Sequence, residues 1–324
     1  KESREEIVKI LECNSKKRLL ILGPCSIHDS HSALEYAERL FGLQRAVDEE
    51  LFLVMRAHVE KPRTTYKWRG WVYDPHLDGS HDLLSGLIAS RRLFLDLTRL
   101  RVPLGMEFLD PVISRYLDDL VSWGCIGART SASQTHRQLA ASLEMPVGFK
   151  NSVDGNVDVA VQGAKFATRE QIFCGMTSEG FVGIVSAVGN AHAHVVLRGG
   201  EQGHNYGKAN RWRLRESLRS EQLVEGFVID SSHGNSQKCP KRQGEVLLEL
   251  AKEMASEKEL CGLMLESHLH EGGQVLGKVS SLRYGVSVTD PCMGWEKTRE
   301  LVLRTAELVN ESQYLQRQVV SSDV

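Results

Sequence analysis

The sequence predicts an α/β protein folded as a (β/α)8 (TIM) barrel, and three observations point there. Eight short apolar runs, at 19–25, 51–56, 104–108, 125–129, 147–150, 194–198, 227–230 and 263–266, alternate with longer segments, several of them with helical spacing. The runs are nearly continuous in apolar residues rather than alternating, which is the pattern of parallel strands covered by helices. Almost every run also ends in polar or charged residues, and the C-terminal strand ends of such a barrel form the rim on which active sites are built. A length of 324 residues accommodates one barrel of about 250 residues with additions.

Taken in order, residues 1–17 form a charged N-terminal segment, opening Lys1-Glu2-Ser3-Arg4-Glu5-Glu6. It has no apolar core of the kind a secretory signal needs. The first run ends in Gly23-Pro24-Cys25-Ser26, and the helix expected at 32–46 places Leu34, Ala37, Leu40 and Phe41 on one stripe. The second run ends at Arg56. It leads into Glu60-Lys61-Pro62-Arg63-Thr64-Thr65 and a long, aromatic-rich loop reaching Ser80, and long loops in compact domains are usually functional. The third, fourth and fifth runs end in Glu107, in Gly127-Ala128-Arg129 and in Lys150-Asn151. Two further runs, 171–177 and 180–187, have no helix between them and predict an inserted β-hairpin at about 170–188, after strand 5. The last three barrel runs end in Arg198-Gly199-Gly200, Asp230-Ser231-Ser232-His233 and Glu266-Ser267-His268, with a helix expected at 244–255 on Val246, Leu247, Leu250 and Met254. The whole of 1–324 reads as one barrel domain.

Composition narrows the function. Net charge is −2 and no stretch approaches the roughly 18 apolar residues of a membrane span, so neither nucleic acid nor a membrane is expected as a partner. Seven scattered cysteines without a Cys-x-x-Cys pair suggest free thiols in a reducing cytoplasm.

Two constellations carry chemistry. Arg56, Lys61, Arg63, Arg129, Lys150 and Arg198 all lie on or just after strand ends. One such cation is as readily a structural ion pair; six on one rim would repel each other without an anionic ligand such as a phosphate, which Arg matches with its planar fork and Lys as a point charge. Pro62 fixes its own φ and biases Lys61 toward extended backbone, so Lys61 and Arg63 gain defined directions and Thr64 adds a hydroxyl. The second set is Cys25, His233, Glu266 and Asp290. Closure of a barrel makes its first and eighth strands neighbours, and this S/N/O/O mixture suits one borderline divalent ion: Mn2+, Fe2+, Co2+ or Zn2+. On spacing alone, Cys25 reads more readily as a small buried hydrophobe. Cys292, two residues after Asp290, is expected near Cys25.

These motifs resemble the class I 3-deoxy-D-arabino-heptulosonate 7-phosphate (DAHP) synthases: Gly23-Pro24-Cys25-Ser26-Ile27-His28-Asp29, Glu60-Lys61-Pro62-Arg63-Thr64-Thr65, Ile126-Gly127-Ala128-Arg129-Thr130, Pro146-Val147-Gly148-Phe149-Lys150-Asn151, Leu197-Arg198-Gly199-Gly200 and Glu266-Ser267-His268-Leu269 occur in matching order. The resemblance implies metal-dependent condensation of phosphoenolpyruvate (PEP) with D-erythrose 4-phosphate, the entry to the shikimate pathway and aromatic amino acid biosynthesis. It implies Cys25, His233, Glu266 and Asp290 as metal ligands. It implies Arg56, Lys61, Gly127, Ala128, Arg129, Lys150 and Arg198 around PEP. Lys61, Pro62, Arg63, Thr64 and Asp290 would receive erythrose 4-phosphate, and Lys61, Glu107, His233 and Asp290 would act in catalysis. It further implies a homodimer or homotetramer and an aromatic amino acid effector near Ser114, Leu143, Glu144, Phe173, Gly175 and Val185. Glu144 and Gly175 depart there from the small hydroxylic residues expected of a phenylalanine-sensitive type. Ser231-Ser232-His233-Gly234-Asn235-Ser236 also departs from the usual seventh-strand motif but keeps His233. Two other readings compete: a 3-deoxy-octulosonate 8-phosphate synthase, whose loop differs from Lys61-Pro62-Arg63-Thr64-Thr65, and a non-catalytic barrel that senses sugar phosphates.

Overall fold

A computed structural model describes residues 1–177, 179–254 and 256–322, with side chains to residue 311. In chain order its strands are β1 (Arg18–Gly23), β2 (Leu51–Arg56), β3 (Leu104–Glu107), β4 (Trp123–Ile126), β5 (Val147–Lys150), β6 (Gln171–Met176), β7 (Val182–Ala187), β8 (His194–Leu197), β9 (Phe227–Asp230) and β10 (Leu260–Glu266). β6 and β7 pair antiparallel with each other, and the other eight close into a parallel barrel in the order β1-β10-β9-β8-β5-β4-β3-β2. The helices are α1 (Glu2–Leu11), α2 (Ser30–Val47), α3 (Leu83–Arg99), α4 (Pro111–Ser114), α5 (Gln134–Ser142), α6 (Asp158–Ala167), α7 (Lys208–Ser220), α8 (Pro240–Glu253) and α9 (Trp295–Ser322). The eight apolar runs are thus the eight barrel strands, and β6–β7 is the hairpin expected after strand 5. Position 178 of that expected hairpin, 255 of the helix expected at 244–255, and 323–324 of the expected 1–324 domain lie outside the described residues.

Continuous apolarity follows from burial on both sides. Every residue of β1 and of β10 is buried, one set of side chains facing the barrel interior and the other the helices. The interior holds Ile21, Val54, Trp123, Val196, Val228 and Met264. Trp123 is fully buried there, and its indole N–H donates to His194 Nε2 at 3.0 Å, as a buried indole requires.

Three details differ from the sequence reading. The first strand stops at Gly23 rather than at 25, because Pro24 has no N–H to continue the ladder. The fourth strand begins at Trp123 and ends at Ile126, so Gly127, Ala128 and Arg129 belong to the following loop. On α2 the buried face is Ala33, Tyr36, Ala37, Leu40, Leu43 and Val47, while Phe41 is 41% exposed. Tyr36 sets that phase by packing edge-on against Trp295 of α9, ring centroids 5.2 Å apart.

Much of the N-terminal segment is helix. α1 buries Ile7, Ile10 and Leu11 against the interior cluster, closing the end of the barrel opposite the C-terminal strand ends. The approach is close: a Cβ at Gly226 would stand 2.1 Å from the Leu11 carbonyl oxygen and 2.7 Å from Cys261 Sγ. Gly226→Ala must therefore displace α1, and is expected to cost at least the 1–3 kcal/mol typical of overpacking. Thermal unfolding would check this; an unchanged midpoint would show that α1 does not depend on this contact.

Candidate active site

The strand ends meet on one rim, as sequence reading expected. Cys25, just past β1, Glu266, closing β10, and Asp290, in the loop before α9, bring their ligand atoms within 4.8 Å of one another. Ligands about 2.0–2.3 Å from a shared ion can stand at most about 4.6 Å apart, so the trio is close to metal-holding geometry. His233 lies beside it without meeting that limit for all three: its Nε2 is 3.9 Å from Glu266 Oε1. Its Nδ1 faces Asp230 Oδ2 at 3.0 Å and Ser232 Oγ at 2.8 Å. With Nδ1–H on a carboxylate, Nε2 is left as the ligand atom, the usual arrangement behind a metal-bound histidine. His233 holds a φ of +55°, strained backbone for a non-glycine residue. Cys25 donates its backbone N–H to Cys292 Sγ at 3.3 Å, which places the two cysteines together as expected.

Each of the three carries a cation. Lys61 Nζ reaches Cys25 Sγ at 3.2 Å and the Cys25 carbonyl at 3.0 Å. Arg56 Nη2 is 2.9 Å from Glu266 Oε1 with both side chains buried, and Lys238 Nζ is 3.1 Å from Asp290 Oδ1. Burial pushes the Cys25 thiol up and Glu266 adds to this, with Lys61 opposing. Burial pulls Lys61 down, but the charges of Cys25, Glu266 and Glu107 outweigh it, so the amine stays an ammonium. A divalent cation fits this donor set: a soft sulfur and two carboxylates in a buried pocket, with an imidazole nitrogen facing one of them.

Across the barrel, Lys150 ends β5 and Asp230 ends β9, and their Nζ and Oδ2 are 3.1 Å apart with both side chains buried. Burial alone would raise the Asp230 carboxyl, but Lys150, His233 and Arg56 hold it well below the usual carboxylate range. Asp230 therefore joins the cation cluster to the histidine of the candidate metal set. Glu107 is buried and packs on Gly127, where a Cβ would come within 2.1 Å of its Oε1. Only glycine leaves that carboxylate its place. Ala128 is half-buried and Arg129 exposed on the same loop. Arg198 is half-buried after β8 and donates to the Gly199 carbonyl at 3.2 Å.

The loop after β2 meets this rim from above. Arg129 Nε donates to Thr64 Oγ1 at 3.0 Å, and Arg63 Nε donates to the Trp68 carbonyl at 2.8 Å. Lys61, Pro62, Arg63, Thr64, Arg129 and the buried Glu60 line a cleft of about 510 Å³. Glu60 accepts from Tyr73 Oη at 3.0 Å, and burial, with Tyr73 opposing and Asp110 adding, raises its carboxyl to about 7. The sign follows. Between the ordinary value of 4.5 and about 7 the unfolded chain has released this proton and the folded chain has not. Stability from this group is full below 4.5 and falls as pH rises to about 7, by on the order of 3 kcal/mol at most. Glu60→Gln should flatten that segment of the melting-temperature-against-pH curve; an unchanged slope would contradict the assignment.

The candidate metal, substrate and catalytic residues of the sequence reading thus lie on or beside this rim, whereas the effector candidates Leu143, Glu144 and Val185 line a separate cavity. Asp230 stood at a strand end without a role, because its partners Lys150 and Arg56 come from β5 and β2, distant in sequence. Glu60 stood beside Lys61 unremarked, because the Leu109–Asp110 backbone that meets it comes from a loop distant in sequence.

Comparison with known proteins agrees. The DAHP synthetase I family matches residues 2–303. The chain is 44% identical over 309 residues to the Trp-sensitive phospho-2-dehydro-3-deoxyheptonate aldolase of Enterobacter agglomerans, covering 95% of this chain and 88% of that one. It is 44% identical over 308 residues to the Phe-sensitive enzyme of Escherichia coli K12, with the same coverages. Among solved structures, the phospho-2-dehydro-3-deoxyheptonate aldolase of Francisella tularensis superposes with a TM-score of 0.94 at 39% identity, over 96% of this chain and 91% of that one.

Proposed function

The chain belongs to the DAHP synthetase I family and is a DAHP synthase, an enzyme of the first step of aromatic biosynthesis; from that premise we propose that it condenses PEP with D-erythrose 4-phosphate to DAHP and phosphate, using one divalent metal ion. The observation that carries this is the reach of Lys61, at the head of the Lys61-Pro62-Arg63-Thr64 loop, to within 3.2 Å of Cys25 Sγ. It brings the cation that would meet the aldehyde to the group of side chains that would hold the metal.

Cys25, Glu266 and Asp290, with His233 completing the set, would hold the ion, whose Lewis acidity would make the aldehyde carbonyl electrophilic. Arg56, Lys150, Arg129 and Arg198 bind the phosphate and carboxylate of PEP, with the Gly127–Ala128 backbone and Glu107 lining the same pocket. Arg63 and Thr64, on the stiff Pro62 turn, bind the phosphate end of the second sugar. Bonding between C3 of PEP and the aldehyde carbon develops negative charge on the aldehyde oxygen. Lys61 stands where its ammonium can neutralise that charge and give up a proton. C2 of PEP becomes electron-poor, water adds to it, and phosphate departs. The Glu107 carboxylate, buried with no partner for Oε1 among the described residues, is placed to hold or deprotonate that water.

A second cavity, of about 1140 Å³, lies between the β6–β7 hairpin and α1 and is lined by Arg4, Leu143, Glu144 and Val185 among others. Arg4 Nη1 pairs with Glu144 Oε2 across it at 2.9 Å. With relatives named as Trp- and Phe-sensitive, this supports an aromatic amino acid effector site formed partly by the N-terminal segment. The hairpin exposes Ile172, Phe181, Val182 and Ile184, which supports self-association into a homodimer or homotetramer. Among the described residues no helix is long and apolar enough to cross a membrane.

The test is a PEP-consumption assay with and without erythrose 4-phosphate, after chelation and after return of Mn2+, Fe2+, Co2+ or Zn2+. Loss of PEP is expected only with the sugar and a metal together. PEP left untouched by metal-loaded protein in the presence of the sugar would end this reading.

A further inference from the structure

His58 lies two residues beyond β2 and is 1% exposed. Its carbonyl accepts the Ile27 N–H at 2.9 Å, which fixes the backbone between the first two strand ends. Its Nδ1 is 3.4 Å from Arg56 Nη2. A guanidinium has donors and no acceptor, so Nδ1 must present its lone pair and the ring proton sits on Nε2. No acceptor of the protein lies within hydrogen-bonding reach of Nε2 among the described residues. A buried N–H without an acceptor is costly and rare. Around the ring stand Arg56, Lys61, Lys150 and His233, and burial together with these charges holds the imidazole neutral, well below its ordinary value.

We infer that His58, beside Arg56, donates its Nε2–H to an anionic oxygen of the three-carbon substrate, a specificity contact of this chain. This deepens the function proposed above and rests on it. The physical logic lies in the neutrality. The pocket already concentrates Arg56, Lys61 and Lys150, and a further cation would add repulsion. A neutral imidazole adds a directed hydrogen bond to the anion without adding charge, and its Nδ1 acceptor aligns the Arg56 fork. The competing possibility is a purely steric role, in which the ring props Arg56 in place.

Calorimetric titration of PEP, without the second substrate, into the divalent-metal-loaded protein separates the two. His58→Leu keeps an apolar volume and removes both the Nε2 donor and the Nδ1 acceptor beside Arg56; His58→Gln returns an N–H donor and an amide oxygen acceptor. A hydrogen bond to a charged group is worth about tenfold to a hundredfold. PEP Kd should rise by that factor in His58→Leu and stay within about threefold of wild type in His58→Gln. In steady state the Leu change should appear in KM for PEP and leave kcat nearly intact. Equal weakening in both variants would assign His58 a packing role and overturn the inference, as would an unchanged Kd in His58→Leu. Absence of PEP binding by the wild type would instead remove the functional reading on which this rests.

Discussion

Lys61→Met is expected to lower turnover by about 10³- to 10⁴-fold while leaving the barrel folded. A positioned proton donor contributes roughly 10² to 10⁴ and a charge aimed at a developing oxyanion about 10² to 10³, and Lys61 is placed to be both. Its ammonium donates to the Cys25 carbonyl and Sγ, with its protonated form favoured by the charges of Cys25, Glu266 and Glu107. Methionine keeps an unbranched stem of similar length, so the backbone of the Pro62 turn is not disturbed. One complication is separable. Lys61 also opposes the upward push of burial on the Cys25 thiol, so its removal should weaken metal binding as well. Metal content of the purified variant, measured beside kcat at saturating metal, distinguishes the two effects. A turnover loss below tenfold at full metal occupancy would remove Lys61 from the chemical step.

The same residue shows what a sequence can and cannot reveal here. The barrel was legible because its signal is redundant: strands buried on both faces, repeated eight times, each ending in chemistry-bearing residues. The rim was legible for a related reason, since one rule about strand ends applies to Arg56, Lys150, Arg198 and Glu266 alike. Less was legible where a single phase or pairing decides. α1 carried Ile7, Ile10 and Leu11 at helical spacing, but the charged residues around them masked that stripe. α2 was found with its face rotated, because Tyr36 answers to Trp295 and Phe41 does not. Asp230 could be placed on the rim but not paired, because Lys150 lies 80 residues away and meets it only through the closed order of the strands. His58 carried no signal in the sequence, because its burial and the partner of each ring nitrogen are set only by the fold.

Asp230→Ala is expected to have the largest effect on stability, and it joins the two halves of the site. The carboxylate is fully buried, 3.1 Å from Lys150 Nζ and 3.0 Å from His233 Nδ1. Removing one partner of a buried pair leaves the other charge uncompensated, at about 3–5 kcal/mol, which for a domain of this size is a fall in melting temperature on the order of 10 °C. The same change frees His233 to turn and to lose its Nε2–H-free tautomer, and loss of such a supporting carboxylate typically weakens metal affinity by about 10- to 100-fold. The pH dependence has a definite sign. Because Asp230 is held well below its ordinary value, its contribution is present above about pH 4, the ordinary aspartate value, and is lost as pH falls through the lower folded-state value. Wild type and variant should therefore converge in melting temperature toward strong acid and diverge above about pH 4. A salt bridge of purely local importance would lower the melting temperature and spare metal binding. One carboxylate is shared by Lys150 and His233, so if these are the phosphate-binding lysine and metal-holding histidine proposed above, stability and metal affinity must fall together.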